Sequence, residues 1–400
     1  MILKKLHIFL FNMVLLNLPI GLAKHFVFNR SYVNGLLVNY LIPTVYVLDV
    51  LILLVLFFWF LDKFVTPKFR YLRFDSVFTV FILLFFVSFL FSSVLAIRVY
   101  PAFIGLLRWV VYGLFGLYIL EEVDIKVRLK NIFKWISFGV LTVSLLGITQ
   151  SVKQTSLFNN YLFFGEQPYS INSLGIDKEN FFGRYVVPSY GTFLHPNIFG
   201  GFLSITLIWL LTLKKKIHKS VFFVGTVALL TTLSFFSWVA FVVGLAALKS
   251  EKLAVCFTAA LFLVGLLLPV LGTQNVYKNT SSLYRRGDLE TKAYEVISTK
   301  YMYGVGLSNF TVLSESPFGF NQPVHNIFLL FIAETGFFPL VFVVLIFLYL
   351  AKKSNIFAVS LLQVVVLGSF DHYLLTDARM FLLLILTATF FVKYNSATHE

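Results

Sequence analysis

Charged residues and cysteine are scarce in this sequence. Asp, Glu, Lys and Arg together make up 12% of its 400 residues, against roughly a quarter in soluble globular domains. This scarcity excludes an ordinary soluble domain. The single cysteine, Cys256, lies within an apolar run, which excludes an intrachain disulfide and a cysteine metal site. The seven histidines show no metal-ligand spacing either, so we predict no bound metal and no cofactor.

Apolar residues are abundant instead. Hydrophobic residues make up 59% of the chain, and the mean hydropathy is +0.88. Apolar runs of roughly 17–25 residues recur from end to end, which is the length that a helix needs to cross a bilayer. The runs are continuous and do not alternate with polar residues, so they predict helices and not strands. We therefore expect an all-α polytopic membrane protein in which residues 1–400 form one integral membrane domain.

The distribution of basic residues predicts the orientation in the membrane. A formal net charge of +14 would suggest a nucleic-acid partner in a soluble protein. Here basic residues in cytoplasmic loops and near anionic lipids account for the positive charge, so we predict no nucleic-acid partner. Placing the basic clusters Lys63–Arg73, Lys214–Lys216 and Lys352–Lys353 inside gives about twelve transmembrane helices with both termini cytoplasmic. Two long polar loops, 151–194 and 272–322, then lie on the outer, periplasmic face.

The apolar pattern also predicts individual helices. The first covers about Leu6–Ala23, and the second covers about Leu36–Phe60 with Asp49 near its middle. A carboxylate at that depth is costly in lipid, so Asp49 is either functional or structurally paired. The stretch Ser220–Leu248 is read as a tight helical hairpin that breaks near Thr232–Ser234, because this reading keeps the basic clusters on one side.

Two further helices are predicted, one within the second long loop and one directly after it. Within the loop, Asp288–Thr299 places apolar residues on one face, which predicts an interfacial helix capped at Gly287 or at its own first residue. This helix would hold Arg286 at its N-terminal edge. After the loop, a tenth helix is predicted from Val324 to about Ala351, with Gly336 as a candidate break.

Both long loops end in a helix that begins with histidine and asparagine. His195 and Asn197 follow the first loop, and His325 and Asn326 follow the second, with Glu334 deeper in the same helix. A helix N-terminus offers unpaired N–H groups and partial positive charge, which suit an anion. A histidine added there can bind the anion or move a proton near neutral pH. The alternative interpretation is a solvated histidine at a membrane boundary.

Arginines concentrate near these helix starts. Arg184, Arg285 and Arg286 lie in the two loops, and Arg108 lies about two turns down the fourth helix, within reach of the same face. The planar guanidinium matches phosphate oxygens in a bidentate way, so a phosphorylated lipid is the predicted ligand. The alternative is that the arginines extend to lipid headgroups. Residues Asp371–Tyr373 of the last outer turn either line the same cavity or anchor it.

Four sequence features occur in a fixed order: GTFLHPNIFGG from Gly191, Arg286 upstream of Ala293, YGVGLSNF from Tyr303, and HNIFLLFIAETG from His325. Together these phrases resemble the O-antigen ligase and O-antigen polymerase family of bacterial membrane glycosyltransferases. Each phrase alone is degenerate, but their order and the loops between them are fairly specific. The resemblance implies a GT-C-like, metal-independent enzyme.

The resemblance also implies roles for individual residues. His325 matches the essential histidine, acting either as general base or as a partner of the diphosphate, and Arg286 matches the arginine that holds the diphosphate. Family members often have an arginine just before the GTF phrase, where this chain has Pro188–Tyr190, so Arg184 is the nearest substitute. Many members have Ser-Arg in the helical hairpin, where this chain has Ser234 followed by phenylalanine.

The implied reaction moves a glycan from an undecaprenyl-diphosphate carrier to an acceptor hydroxyl on the outer face of the cytoplasmic (inner) membrane. The partners would be the lipid-linked donor, membrane lipids, and a glycolipid, glycan or protein acceptor. A polymerase of the same family, which extends a carrier-linked glycan, fits the sequence equally well. A transporter of lipid-linked glycans is the alternative of a different class, although the chain lacks the internal repeat found in many transporters.

Overall fold

The computed structural model describes residues 2–65, 76–181, 183–211, 216–272, 281–313, 321–341 and 356–396. Most of these residues are helical. The helices are α1 (Ile2–Leu16), α2 (Val47–Val65), α3 (Ser76–Val94), α4 (Val99–Glu122), α5 (Ile125–Lys153), α6 (Pro196–Leu211), α7 (Lys216–Thr231), α8 (Phe235–Ala247), α9 (Glu251–Gly272), α10 (Ser281–Lys300), α11 (Phe310–Leu313), α12 (Ile327–Thr335), α13 (Ile356–Phe370), α14 (Tyr373–Thr376) and α15 (Ala378–Ser396).

The predicted helical class is confirmed in its general form. Two helices, Val99–Glu122 and Val127–Lys153, are long and apolar enough to cross a membrane, and seven shorter apolar helices of 10–17 residues accompany them among the described residues. Several predictions concern residues outside the described ranges. They include most of the basic clusters at 63–73, 214–216 and 352–353, parts of the second loop, and the end of the tenth helix beyond residue 341.

Three small two-stranded antiparallel sheets lie between the helices. The strands are β1 (Ala23–His25) with β4 (Thr44–Tyr46), β2 (Tyr32–Val33) with β3 (Leu36–Leu37), and β5 (Glu179–Phe181) with β6 (Arg184–Val186). Residues 36–46 therefore form two short strands and a 3₁₀ turn where the sequence predicted the start of the second helix. Asn34 and Gly35 both have positive φ, 49° and 80°, as the Asn-Gly turn of a two-residue hairpin requires.

Helix α2 consequently begins at Val47, and Asp49 lies in its first turn. The prediction that Asp49 lies near the middle of a helix is wrong. Its carboxylate accepts the backbone N–H of Tyr46 at 2.9 Å and the hydroxyl of Tyr112 at 2.5 Å. A first-turn carboxylate is favourable because it meets the unpaired N–H groups of the helix start.

Two predicted helix breaks are confirmed. Helix α7 ends at Thr231 and α8 begins at Phe235, so the hairpin breaks where the sequence predicted. Helix α12 ends at Thr335, and Gly336 follows with φ of +80° before residues 337–341 resume the helical conformation. A side chain is strained at that φ, which explains the glycine.

The interfacial helix is longer than predicted. Helix α10 begins at Ser281, so Arg286 and Gly287 lie inside it, and neither Gly287 nor Asp288 caps its start. The predicted apolar face is confirmed, because Leu289, Ala293 and Val296 of that face pack on α12. The helix extends through Gly287 because the cost of one helical glycine, about 1 kcal/mol, is small beside that packing.

Helix α6 is the centre of the fold. Fourteen of its sixteen residues are buried, and they pack against α5, α7, α8 and α13. Gly200 and Gly201 allow close approach, because a Cβ at either position would overlap Ser237 or Tyr373. The glycine pair of the GTFLHPNIFGG phrase thus brings the start of α6 against α8 and α14.

Ion pairs join several helix ends at one side of the bundle. Lys4 lies 3.5 Å from Glu122, and Lys63 pairs with Glu121 and Glu122 at 2.5 Å. Lys393 donates to the carbonyl of Leu120 at 2.6 Å. The start of α1 and the ends of α2, α4 and α15 therefore lie at the same end of the structure.

Candidate functional site

Three chain segments converge at the opposite end from these ion pairs. They are the start of α6, the start of α12, and the turn between α13 and α14. Nδ1 of His325 lies 3.5 Å from Oδ1 of Asp371, and the rings of His325 and His372 have centroids 4.9 Å apart. Asn197 donates to Oδ2 of Asp371 at 3.2 Å. The three segments lie 46 or more positions apart in the sequence and meet in one cluster.

Asn326 fixes the position of His325. Its Oδ1 accepts the N–H groups of Phe328 and Leu329 at 3.0 and 3.2 Å, which caps α12. Its Nδ2 donates to the carbonyls of Gly265 and Ser369 at 3.3 and 3.2 Å. The amide is fully buried and its hydrogen-bonding capacity is used. Asn326 therefore acts by positioning its neighbour, and not as a ligand-binding group.

Asp371 is the charged partner of this histidine. Its Oδ1 also accepts the backbone N–H of His372 at 2.8 Å. Burial opposes ionisation of the carboxyl, but His325, His372 and the positive charge of Arg286 outweigh it and hold the pKa of Asp371 well below its usual range. The group is an anion at neutral pH, able to orient the His325 imidazole and to stabilise its protonated form.

His372 completes the cluster. Its Nδ1 lies 2.8 Å from Oγ1 of Thr376, and the ring of Tyr40 packs edge-on against it with centroids 5.4 Å apart. Burial lowers the pKa of His372 to about 3, so the ring is neutral at physiological pH. Tyr40 comes from the 3₁₀ turn Asn39–Leu41 between β3 and β4, which the sequence did not connect with the site.

Asp177, which the sequence did not single out, pairs with His195. Nε2 of His195 lies 2.8 Å from Oδ2 of Asp177, and its Nδ1 accepts the backbone N–H of Asn197 at 3.2 Å. Burial lowers the pKa of His195, but the Asp177 carboxylate outweighs it, and the net shift is upward. Since Asn197 also donates to Asp371, which lies beside His325, the two histidine helix starts belong to one polar cluster.

The four predicted phosphate-binding arginines are not all at this site. Arg286, on α10, is near enough for its charge to act on Asp177, His195, Asp371 and His372. The side chain of Arg285 lies outside the described part of the structure.

The other two arginines have different environments. Arg184 is exposed beside the turn of the β5–β6 hairpin, and no ion pair of the described residues includes it. Arg108 donates to the carbonyl of Thr44 at 2.7 Å and lies 3.6 Å from Asp49. The geometry favours the structural interpretation of Asp49, and Arg108 lies with Asp49 and not with His325.

Glu334 also has a structural environment. Its carboxylate accepts the N–H of Phe310 at 3.2 Å, and its carbonyl accepts the N–H of Gly306 at 2.7 Å. Gly304 and Gly306 have φ of +64° and +95°, and a Cβ on Gly304 would overlap the backbone of Glu334. The YGVGLSNF phrase thus forms a loop wrapped around the end of α12, which accounts for both glycines.

A buried arginine that the sequence analysis did not assign to the site holds the α14–α15 turn in place. Arg379 forms a fork on Asp377, with distances of 3.1 and 2.7 Å, and donates to the carbonyl of Thr192 at 2.8 Å. Its guanidinium lies 4.2 Å from the ring centroid of Phe193. Arg379 therefore joins the GTF phrase before α6 to the α14–α15 turn. Tyr373 is buried against Gly201 and anchors the same turn.

The site also contains a group that is able to bind a metal ion. His325, Asp371 and His372 each offer a ligand atom, and these atoms lie within 4.8 Å of one another. Sequence spacing does not reveal the group, because His325 is 46 positions from its partners. Comparison of the chain with known protein families, with curated proteins and with solved structures finds no match.

Proposed function

We propose that this chain is an O-antigen ligase-like glycosyltransferase of the cytoplasmic (inner) membrane. It transfers a glycan from an undecaprenyl-diphosphate carrier to an acceptor hydroxyl on the outer face. One observation supports this proposal most. Both His/Asn helix starts converge on the His325–Asp371 pair, and the positive charge of Arg286 is close enough to act on that pair. A polymerase uses the same chemistry, with a carrier-linked glycan as the acceptor.

The outer surface of the bundle supports the membrane location. Large apolar side chains are exposed along helices far apart in the sequence, including Phe57 (56%), Leu107 (59%), Phe223 (69%) and Leu263 (55%). Such side chains are unfavourable in water and favourable in lipid. We propose that twelve helices span the bilayer. They are α1–α9, α13, α15 and the helix whose first part is α12. The Lys4–Glu122 ion pair at the start of α1 and the hydrogen bond of Lys393 at the end of α15 are consistent with termini that share the cytoplasmic side.

The reaction follows from the chemistry of the site. His325 accepts the proton of the acceptor hydroxyl as that oxygen attacks the anomeric carbon of the donor sugar. The bond between that carbon and the phosphate oxygen breaks, and undecaprenyl diphosphate leaves with the bonding electrons. Asp371 stabilises the imidazolium, and Arg286 stabilises the negative charge that develops on the diphosphate. Protein cations supply the charge, so this mechanism requires no metal ion.

The experiment reconstitutes the protein in liposomes with an undecaprenyl-diphosphate glycan and an acceptor, in the presence of EDTA. We expect the wild-type protein to transfer the glycan, and His325→Ala to lose about 10²- to 10⁴-fold of the rate, the range for loss of a general base. His25→Ala is the matched control, because His25 is an exposed histidine in β1 that contacts Thr44. Full activity of His325→Ala would contradict its assignment as the base. Movement of the intact donor across the bilayer without carrier release would favour a transporter.

A further inference from the structure

We propose that His325, Asp371 and His372 form a binding site for one Zn²⁺ ion, and that the bound ion switches off transfer. The binding site stands on the geometry alone. The inhibitory effect rests on the proposed function, because it requires His325 to be the base.

The spacing of the three groups suits a small transition-metal ion. Nδ1 of His325 and Oδ1 of Asp371 are 3.5 Å apart, and the ligand atoms of all three residues lie within 4.8 Å of one another. A tetrahedral Zn²⁺ ion with bonds of about 2.0–2.1 Å holds neighbouring ligand atoms about 3.3 Å apart. The His325–Asp371 pair is already close to this spacing. Side-chain rotations would bring the ligand atom of His372 to the same distance from the other two.

The donor atoms are available for an ion. Nδ1 of His325 is buried and has no hydrogen-bond partner among the described residues, so an ion at this position would satisfy it. Nδ1 of His372 is engaged with Thr376, which leaves Nε2 as its ligand atom. A ligating histidine usually donates its second ring N–H to an oxygen, as this contact with Thr376 would allow.

The surroundings hold the carboxylate and select the kind of metal. Asn197 and the backbone N–H of His372 fix Asp371 from two sides. Two imidazoles and one carboxylate suit Zn²⁺ and its neighbours in the first transition series, whereas Mg²⁺ and Ca²⁺ prefer oxygen ligands. Three protein ligands leave the fourth position of a tetrahedral ion open.

Metal binding would remove the catalytic base. An imidazole that ligates through Nδ1 has its remaining proton on Nε2, so Nε2 can no longer accept a proton from the acceptor hydroxyl. The ion would also take the Asp371 carboxylate away from His325. Since the site faces the outer side in the proposed topology, external Zn²⁺ would inhibit transfer.

The test measures binding first and without any activity. The full-length protein in detergent is stripped with EDTA, desalted and titrated with Zn²⁺ against a chromophoric chelator. We expect one equivalent to bind the wild type, and the affinity to fall at least about 100-fold in His372→Ala and in His325→Ala, since losing even an outer-shell partner costs 10- to 100-fold. His25→Ala should bind like the wild type. Thermal unfolding of each variant reports whether it is folded.

The possible outcomes distinguish failure of the proposed metal site from failure of the proposed function. Unchanged binding in both folded variants, or an equal loss in His25→Ala, would overturn the site. If His372→Ala does not fold, His325→Ala decides alone, and visible absorption of a tetrahedral Co²⁺ complex provides a second measure. Zn²⁺ that binds the wild type without slowing transfer would overturn the inhibitory role only. Absence of transfer in EDTA would overturn the proposed function and leave the binding result intact.

Discussion

At the residue scale, the account depends on the carboxylate beside His325. Asp371→Asn keeps the size of the side chain and removes its charge, so the imidazolium that forms during transfer loses its stabilising anion. We expect kcat to fall by about 10²-fold, within the range of general-base catalysis, while KM for the donor changes little. The measurement is initial-rate kinetics in proteoliposomes over a range of pH. A loss confined to KM would indicate that Asp371 binds substrate instead.

The Asp177–His195 pair predicts a pH-dependent stability. The pKa of folded His195 is raised above 6.5, so its contribution is complete below pH 6.5 and is lost as pH rises through the folded value. The pKa of folded Asp177 is lowered below 3.8, so its contribution is present above pH 3.8 and is lost as pH falls through the folded value. The pair therefore stabilises the protein most between about pH 4 and 6.5.

The measurement compares the Tm of the wild type and of Asp177→Asn across that range. We expect the difference to be largest near pH 5–6 and to shrink above neutral pH. The effect is modest because 42% and 44% of the two side chains are exposed. A difference that grows steadily with pH would contradict the pairing.

At the element scale, two glycines near the site should respond in opposite directions. Gly304 has φ of +64°, and a Cβ there would overlap Glu334, so Gly304→Ala should lower the free energy of unfolding by about 1–3 kcal/mol. Gly287 lies within α10 with open space around it, so Gly287→Ala should raise it by about 0.5–1 kcal/mol. Denaturant titration in detergent measures both. Equal effects at the two positions would contradict the assigned loop and helix.

The helix cap before α12 offers another test. Asn326→Ala removes two hydrogen bonds to the start of α12 and leaves the carbonyls of Gly265 and Ser369 without this donor. We expect a loss of about 2 kcal/mol or more, above the ~1 kcal/mol typical of a surface cap. Asp124→Ala, which removes the exposed cap of α5, is the comparison and should cost less. An equal cost would show that the Asn326 contacts to α9 and α13 contribute nothing.

The contrast between predicted and observed elements has a physical cause. The start of α6 and the break between α7 and α8 were predicted closely, because a continuous apolar composition suffices for a helix and a local break interrupts it. The strands at 23–46 were missed, although Asn34-Gly35 is a hairpin signal, because the apolar residues from Leu36 onward were interpreted as the start of a helix. The start of α10 was missed because its packing on α12 outweighs the local effect of Gly287, and packing is not visible in a local pattern.

The candidate site shows the same contrast between features that a local sequence pattern predicts and features that depend on tertiary contacts. The sequence predicted His195 and His325 from their positions at helix starts, and Arg286 from a phrase in the second loop. It did not connect Tyr40 or Asp177 with them, because no local pattern marks a partner that tertiary contacts supply. Arg108 was expected at the diphosphate, yet Asp49 lies beside it. The pairing of these two partly buried charges depends on how α2 and α4 pack.

At the scale of the whole molecule, the proposed topology predicts which residues are reachable from outside. Leu174, in the first long loop, is 98% exposed, and Lys5 lies near the start of α1. In a Cys256→Ala background, a membrane-impermeant thiol reagent added to intact cells should label Leu174→Cys and not Lys5→Cys. Labelling of both after the cells are opened is the control. Labelling of Lys5→Cys in intact cells would contradict the orientation.

The central claim is that the lipid diphosphate leaves as the glycan is transferred, and the stoichiometry of the two products tests it most directly. Wild-type protein in liposomes, with EDTA and a radiolabelled undecaprenyl-diphosphate glycan, is quenched at early times, and free undecaprenyl diphosphate and glycosylated acceptor are measured in the same sample. The account predicts that the two products appear together in equal amounts and that neither forms without acceptor. Glycan that changes sides of the bilayer while still linked to its carrier, with no free diphosphate, would contradict it.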